Sequence, residues 1–88
     1  MKMIDRNHAQ QMIQKQFRIN DKVHVTLATY KRDRKIELDK QGDKFTITEA
    51  GYKRETVTGL TQKEALSQLK KRMKVEFPRS HKLYIAFK

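Results

Sequence analysis

The stretch Gly51–Pro78, GYKRETVTGLTQKEALSQLKKRMKVEFP, decides the fold. It reads as a short strand, a sharp turn and a helix stopped by the chain's one proline. Thr61 can cap the helix, because its hydroxyl accepts from an orphan backbone N–H of the first turn. Glu64, three residues on, can reach back to the N–H of Thr61, which makes a capping box. Leu60 and Ala65 flank the cap as a hydrophobic staple. Gly59 frees the backbone for the turn from strand to helix. Leu66, Leu69, Met73 and Phe77 recur at helical spacing and form one apolar stripe. Lys70, Lys71, Arg72 and Lys74 occupy other faces of the last turns, where they complement the negative end of the helix dipole. This helix therefore needs an apolar surface to lie on.

The preceding residues supply one. Asp5 can cap a first helix from Arg6 to about Phe17, with Ala9, Met12, Ile13 and Phe17 inward and Gln10, Gln11, Gln14 and Gln16 outward. Asn20-Asp21 ends it. Residues 22–30, KVHVTLATY, alternate, with Val23, Val25 and Leu27 on one side. Residues 31–34 form a charged hairpin tip. Residues 35–39 place Ile36 and Leu38 inward and Lys35, Glu37 and Asp39 outward. Residues 44–49 place Phe45 and Ile47 inward and Lys44, Thr46 and Thr48 outward. Residues 54–58 place Val57 inward and Arg54, Thr56 and Thr58 outward. After Pro78, residues 82–87 make a last strand, apolar enough to be covered on both sides. The expected fold is α+β: a two-layer antiparallel β-meander packed on helix, in the order α-β-β-β-β-α-β, as one small basic domain over residues 1–88.

Composition narrows function. The chain has 21 Lys and Arg against 10 Asp and Glu, a net charge of +11. Residues 61–88 carry eight cations and two acids, net +6. A phosphate backbone is the commonest polyanion that such a field attracts. There is no cysteine, so disulfides and thiolate metal sites are excluded. His8, His24 and His81 lie far apart with no paired spacing, so no metal site is expected. No small-molecule cofactor motif occurs. No run is long and apolar enough to span a membrane, and the N-terminus lacks a signal-peptide pattern, so a cytoplasmic location is expected.

No nucleophile, acid pair or phosphate-cradling glycine loop stands out, and no catalytic residue is assigned. A small ribonuclease of the toxin kind would draw on Arg79, His81, Lys82 and Tyr84, but neighbours on one strand point to opposite faces. Nucleic-acid binding has more material. Tyr30, Lys35, Lys44 and Arg54 with the threonines can follow a backbone or reach base edges from a sheet face. Lys31, Arg32 and Arg34 at the hairpin tip and Lys53 in the next turn would flank that face. Lys70, Lys71, Arg72 and Lys74 offer a second, helical patch. Glu37 and Asp39 share the sheet face and oppose phosphate there. The competing class is a basic interaction or inhibitor module docking on an acidic protein or a ribonucleoprotein.

Gly51-Tyr52-Lys53-Arg54, followed by Gly59-Leu60-Thr61-Gln62-Lys63-Glu64-Ala65, resembles the end of the N-terminal arm-type DNA-binding domain of tyrosine-family integrases. The resemblance spans residues 34–74 at most. Leu60 stands where that family has an aromatic, one residue is missing before Thr61, and the tryptophan of its first strand is absent. The resemblance implies duplex DNA rather than RNA as ligand, a sheet laid in the major groove, and the accessory protein of a phage or mobile element. The α-β-β-β-α core also resembles double-stranded-RNA-binding domains. Lys63 alone answers their basic second-helix start, and their Gly-Pro-x-His loop is missing.

Overall fold

Period-two apolar runs build a six-stranded sheet, and both helices lie on its apolar face. The computed structural model describes residues 2–29, 31, 33–78 and 81–87. Its elements are β1 (Lys2–Asp5), α1 (Arg6–Ile19), β2 (Lys22–Ala28), β3 (Lys35–Gln41), β4 (Lys44–Ala50), β5 (Arg54–Leu60), α2 (Gln62–Glu76) and β6 (Lys82–Phe87). The strand order across the sheet is β1-β6-β2-β3-β4-β5, and every pairing is antiparallel.

The alternation read from β2, β3, β4 and β5 holds. Val25 lies opposite Leu38, and Leu38 opposite Ile47. These three side chains are buried with Leu27, Ile36 and Phe45. Two expectations about the strands change. The chain begins with a strand that four residues are too short to announce. β1 is recruited by pairing along β6, with Ile4 opposite Leu83. β6 is shielded edgewise, between β1 and β2, and Tyr84 and Ala86 on its other face are only half-buried.

The capping box at α2 is present in full. The N–H of Glu64 donates to Thr61 Oγ1 at 3.2 Å, and the N–H of Thr61 donates to Glu64 Oε1 at 3.0 Å. The bond from the Thr61 N–H reaches the carboxylate itself and is the first cause holding Glu64 below the usual glutamate range, with the Thr61 hydroxyl adding to it. At α1 the N-cap residue is Asp5, as expected, but its side chain makes no capping bond. Instead the N–H of Arg6 donates to the carbonyl of His81 at 2.8 Å, tying the helix to the approach to β6. Gly59 serves a β-bulge rather than the turn into α2. Its φ is 70°, and the register slips so that Phe45 faces Leu60 while Ile47 faces Val57.

The helices divide the sheet. α2 packs on β3, β4 and β5, while α1 packs on β1, β2 and β6. Ala65, Leu69, Met73 and Phe77 bury the α2 stripe, with Leu66 half-buried beside them. Ala9, Ile13 and Phe17 bury that of α1. Each large apolar side chain so buried contributes about 1.5–3 kcal/mol. The helices run antiparallel. Arg6 Nη1, at the start of α1, donates to the carbonyl of Phe77, at the end of α2, at 2.6 Å. At the other end the ring of Phe17 meets that of Phe45 edge-on at 5.0 Å, and Phe45 faces Leu60 just before α2.

Candidate nucleic-acid interface

Several cations are taken up inside the molecule. Arg72 is buried, not part of a free patch as expected: it bonds Glu49 Oε1 at 2.5 Å, Glu55 Oε1, and Gln68 Oε1 at 3.1 Å. Arg34 stacks on Tyr52, its guanidinium carbon 3.8 Å from the ring centroid, and donates to the carbonyl of Glu76 at 3.3 Å. Lys40 is buried beneath the C-terminus of α1, where its Nζ donates to the carbonyls of Phe17 and Asn20. Parity signals its position, since Lys40 follows the inward Ile36 and Leu38 at period two. Tyr30 and Arg32 lie outside the described residues.

Beside Arg72, Glu49 and Glu76 form a buried carboxyl pair. The Glu76 carboxylate accepts from the N–H of Tyr52 at 2.9 Å and of Lys53 at 3.3 Å. Burial, then a hydrogen bond shared with Glu76, pushes Glu49 above the usual glutamate range. Burial acts the same way on Glu76, but the bonds from Glu49, Tyr52 and Lys53 and the charge of Arg34 outweigh it and hold Glu76 below that range. The oxygen Glu49 Oε2 has no hydrogen-bond partner among the described residues, which favours the protonated form that could donate toward Glu76.

The open face of the sheet mixes signs. Lys35, Lys44, Lys53 and Arg54 are exposed on it or at its rim. Glu37 lies opposite Thr26 and Thr48 in the middle of this face, and Asp39 lies opposite His24 and Thr46. Lys35 Nζ is 3.7 Å from Glu37, and His24 Nδ1 is 3.7 Å from Asp39. Lys31 at the hairpin tip is exposed. The tip itself is braced, with Thr29 Oγ1 donating to Asp33 Oδ1 at 2.8 Å. That bond is the first cause holding the Asp33 carboxyl below its usual range.

The exposed side of the helical layer is different. On α2, Lys63, Ser67, Lys70, Lys71 and Lys74 fall on one solvent stripe. Lys63 to Lys74 spans about 16 Å of helix at ~1.5 Å per residue. The acids of α2 are Glu64, held in the capping box, and the buried Glu76. α1 contains no acid, and exposes Asn7, His8, Gln11, Lys15 and Arg18. Lys70, Lys71 and Lys74 sit at outward positions as expected, and Lys15, Arg18 and Lys63 join them from the same outward positions of amphipathic helices.

Where the start of α1 passes the end of α2, Arg6, Asn7, Gln10, Lys70, Met73 and Lys74 line a cleft of about 170 Å³. Of the ribonuclease-type group, His81 and Lys82 are exposed, Tyr84 is half-buried on β6, and Arg79 lies outside the described residues. No group of three or more His, Cys, Asp or Glu among the described residues is placed to hold a metal ion. Among the described residues no helix is long and apolar enough to cross a membrane. Comparison with protein-family models, with curated proteins and with solved structures finds no match to this chain.

Proposed function

We propose that this protein binds the phosphate backbone of a nucleic-acid duplex, and does so through the exposed side of α1 and α2. One observation carries the reading: the excess positive charge is concentrated on a helical layer whose outer surface carries no acid except the cap-bound Glu64. About 16 Å of duplex axis presents roughly nine phosphate charges, at one per ~1.7 Å. Four lysines on α2, with Lys15 and Arg18 on α1, match a target of that size. The sheet face, which the resemblance to integrase arms would lay in the groove, is the weaker candidate, because a phosphate there would meet Glu37 and Asp39.

The test is a salt series of fluorescence-anisotropy titrations with duplex DNA, duplex RNA and single strands. Affinity for a duplex should fall with salt at a log–log slope of about −0.9 per phosphate contact. Lys70→Ala with Lys71→Ala should weaken binding and flatten that slope more than Lys44→Ala with Arg54→Ala. The reverse order would place the contact on the sheet. Negligible affinity for every nucleic acid at about 50 mM salt, where the counterion effect is strong, would transfer the basic surface to an acidic protein partner.

A further inference from the structure

We infer that the cleft between α1 and α2 is a seat for one phosphate group of that backbone, an inference that rests on the phosphate-backbone reading above. Its size is the first argument. At about 170 Å³ it is smaller than the roughly 300–1,000 Å³ of pockets for drug-sized molecules, and it suits a small polyatomic anion. Its chemistry is the second. Arg6, Lys70 and Lys74 bring cations from two helices, Asn7 and Gln10 add neutral amide donors, and the lining contains no acid. Met73 supplies the one apolar side chain of that lining.

The donors are spare and one is preset. Among the described residues, the side chains of Asn7, Gln10, Lys70 and Lys74 make no hydrogen bond or ion pair. Arg6 is anchored through Nη1 to the Phe77 carbonyl at 2.6 Å. That bond fixes the guanidinium at the cleft and leaves the rest of its planar fork for a phosphate oxygen pair. The acid next to the start of α1, Asp5, makes no side-chain capping bond there. Asp5 instead turns toward His8, 3.8 Å from its Nδ1, and lines a separate hollow with Met3, Met12 and Lys82.

A seated phosphate makes two residues from different helices answer to one another, and a diffuse attraction does not. The experiment is a double-mutant cycle on the full chain, read by anisotropy with duplex DNA and duplex RNA across salt. Gln10→Ala removes a neutral donor, so it should weaken duplex binding about two- to tenfold with the salt slope unchanged. Lys74→Gln should flatten the slope by about 0.9. Gln10→Ala should then cost little more in the Lys74→Gln background, because the shared phosphate is already lost. In the Lys63→Gln background, at the far end of α2, its full effect should persist. Thermal melts confirm that each variant folds. If Gln10→Ala has no effect, or the same effect in both backgrounds, the seat is overturned while backbone binding stands. If no variant and no wild-type protein binds duplex at about 50 mM salt, the underlying reading fails and the seat with it.

Discussion

Gly51→Ala sets two rules against each other. Gly51 is not among the glycines with positive φ, which are Gly42 and Gly59. On backbone grounds alone an alanine there should stabilise the fold by about 0.4–1 kcal/mol, by restricting the unfolded chain. The surroundings argue the opposite. A Cβ on Gly51 would lie 2.1 Å from Glu76 Oε1 and 2.7 Å from its Cδ. A carboxylate is the flexible end of a side chain, but this one is wholly buried and held by the N–H groups of Tyr52 and Lys53. Moving it overpacks the site, at about 1–3 kcal/mol, and breaks a hydrogen bond of about 0.5–1.5 kcal/mol. The net is a destabilisation centred near 2 kcal/mol, which for a domain of this size lowers the melting temperature by about 8–16 °C. Urea and thermal unfolding followed by circular dichroism measure it. A neutral or stabilising Gly51→Ala would show that Glu76 does not occupy this position.

Leu69 is fully buried between α2 and the sheet, so Leu69→Ala should cost about 2–5 kcal/mol in urea unfolding; an unchanged midpoint would contradict the packing of α2. Thr61→Ala removes one arm of the capping box and should cost about 0.5–2 kcal/mol, checked by the same unfolding curves. Glu49→Gln should change how stability depends on pH. The Glu49 carboxyl is raised in the fold, so its contribution is complete below the ordinary glutamate value of 4.5 and is lost as pH climbs through its raised value. Glu76 is lowered, so its contribution is present above 4.5 and lost as pH falls through its lowered value. A glutamine at 49 keeps the hydrogen bond to Glu76 at every pH. The variant should therefore gain on wild type as pH rises from about 4.5, and parallel stability curves for the two proteins would refute the shared proton.

The parts of this fold legible in the sequence are those whose cause is local or strictly periodic. The Thr61–Glu64 box needs only neighbouring residues. The strands β2, β3 and β4 each bury one face and wet the other, so their alternation declares itself. β1 does not, because its pairing is supplied by β6 at the far end of the chain. The same periodicity carried information that residue type concealed. Glu49 follows Phe45 and Ile47 on the inward parity, and Arg72 and Glu76 follow Ala65 and Leu69 on the inner side of α2. Read by type, Arg72 belongs to a solvated Lys-Lys-Arg run; read by position, it is a core residue that needs Glu49 and Glu55 as its hydrogen-bond partners. The cleft was not legible, because it depends on how closely two helices approach, and the amide-rich face of α1 has no meaning until α2 lies beside it.

Internal pairing changes what the net charge means. Arg34, Lys40 and Arg72 are bound to carbonyls or carboxylates within the fold, and Glu49 and Glu76 are buried with them. Removing these groups leaves the field of the molecule still positive but rearranges it. The acids that remain exposed lie on strands, turns or a helix cap, with Glu37 and Asp39 in the middle of the open sheet face. The Cα trace is 19 Å across in its shortest direction, about twice the ~8 Å screening length at physiological ionic strength. The two faces therefore act on a polyanion almost independently. One that approaches the sheet meets carboxylates among the cations and must desolvate both. One that approaches α1 and α2 meets cations and neutral side chains with no acid of either helix exposed beyond the capped Glu64, so the same net charge attracts it more strongly from that side and turns the protein to present it.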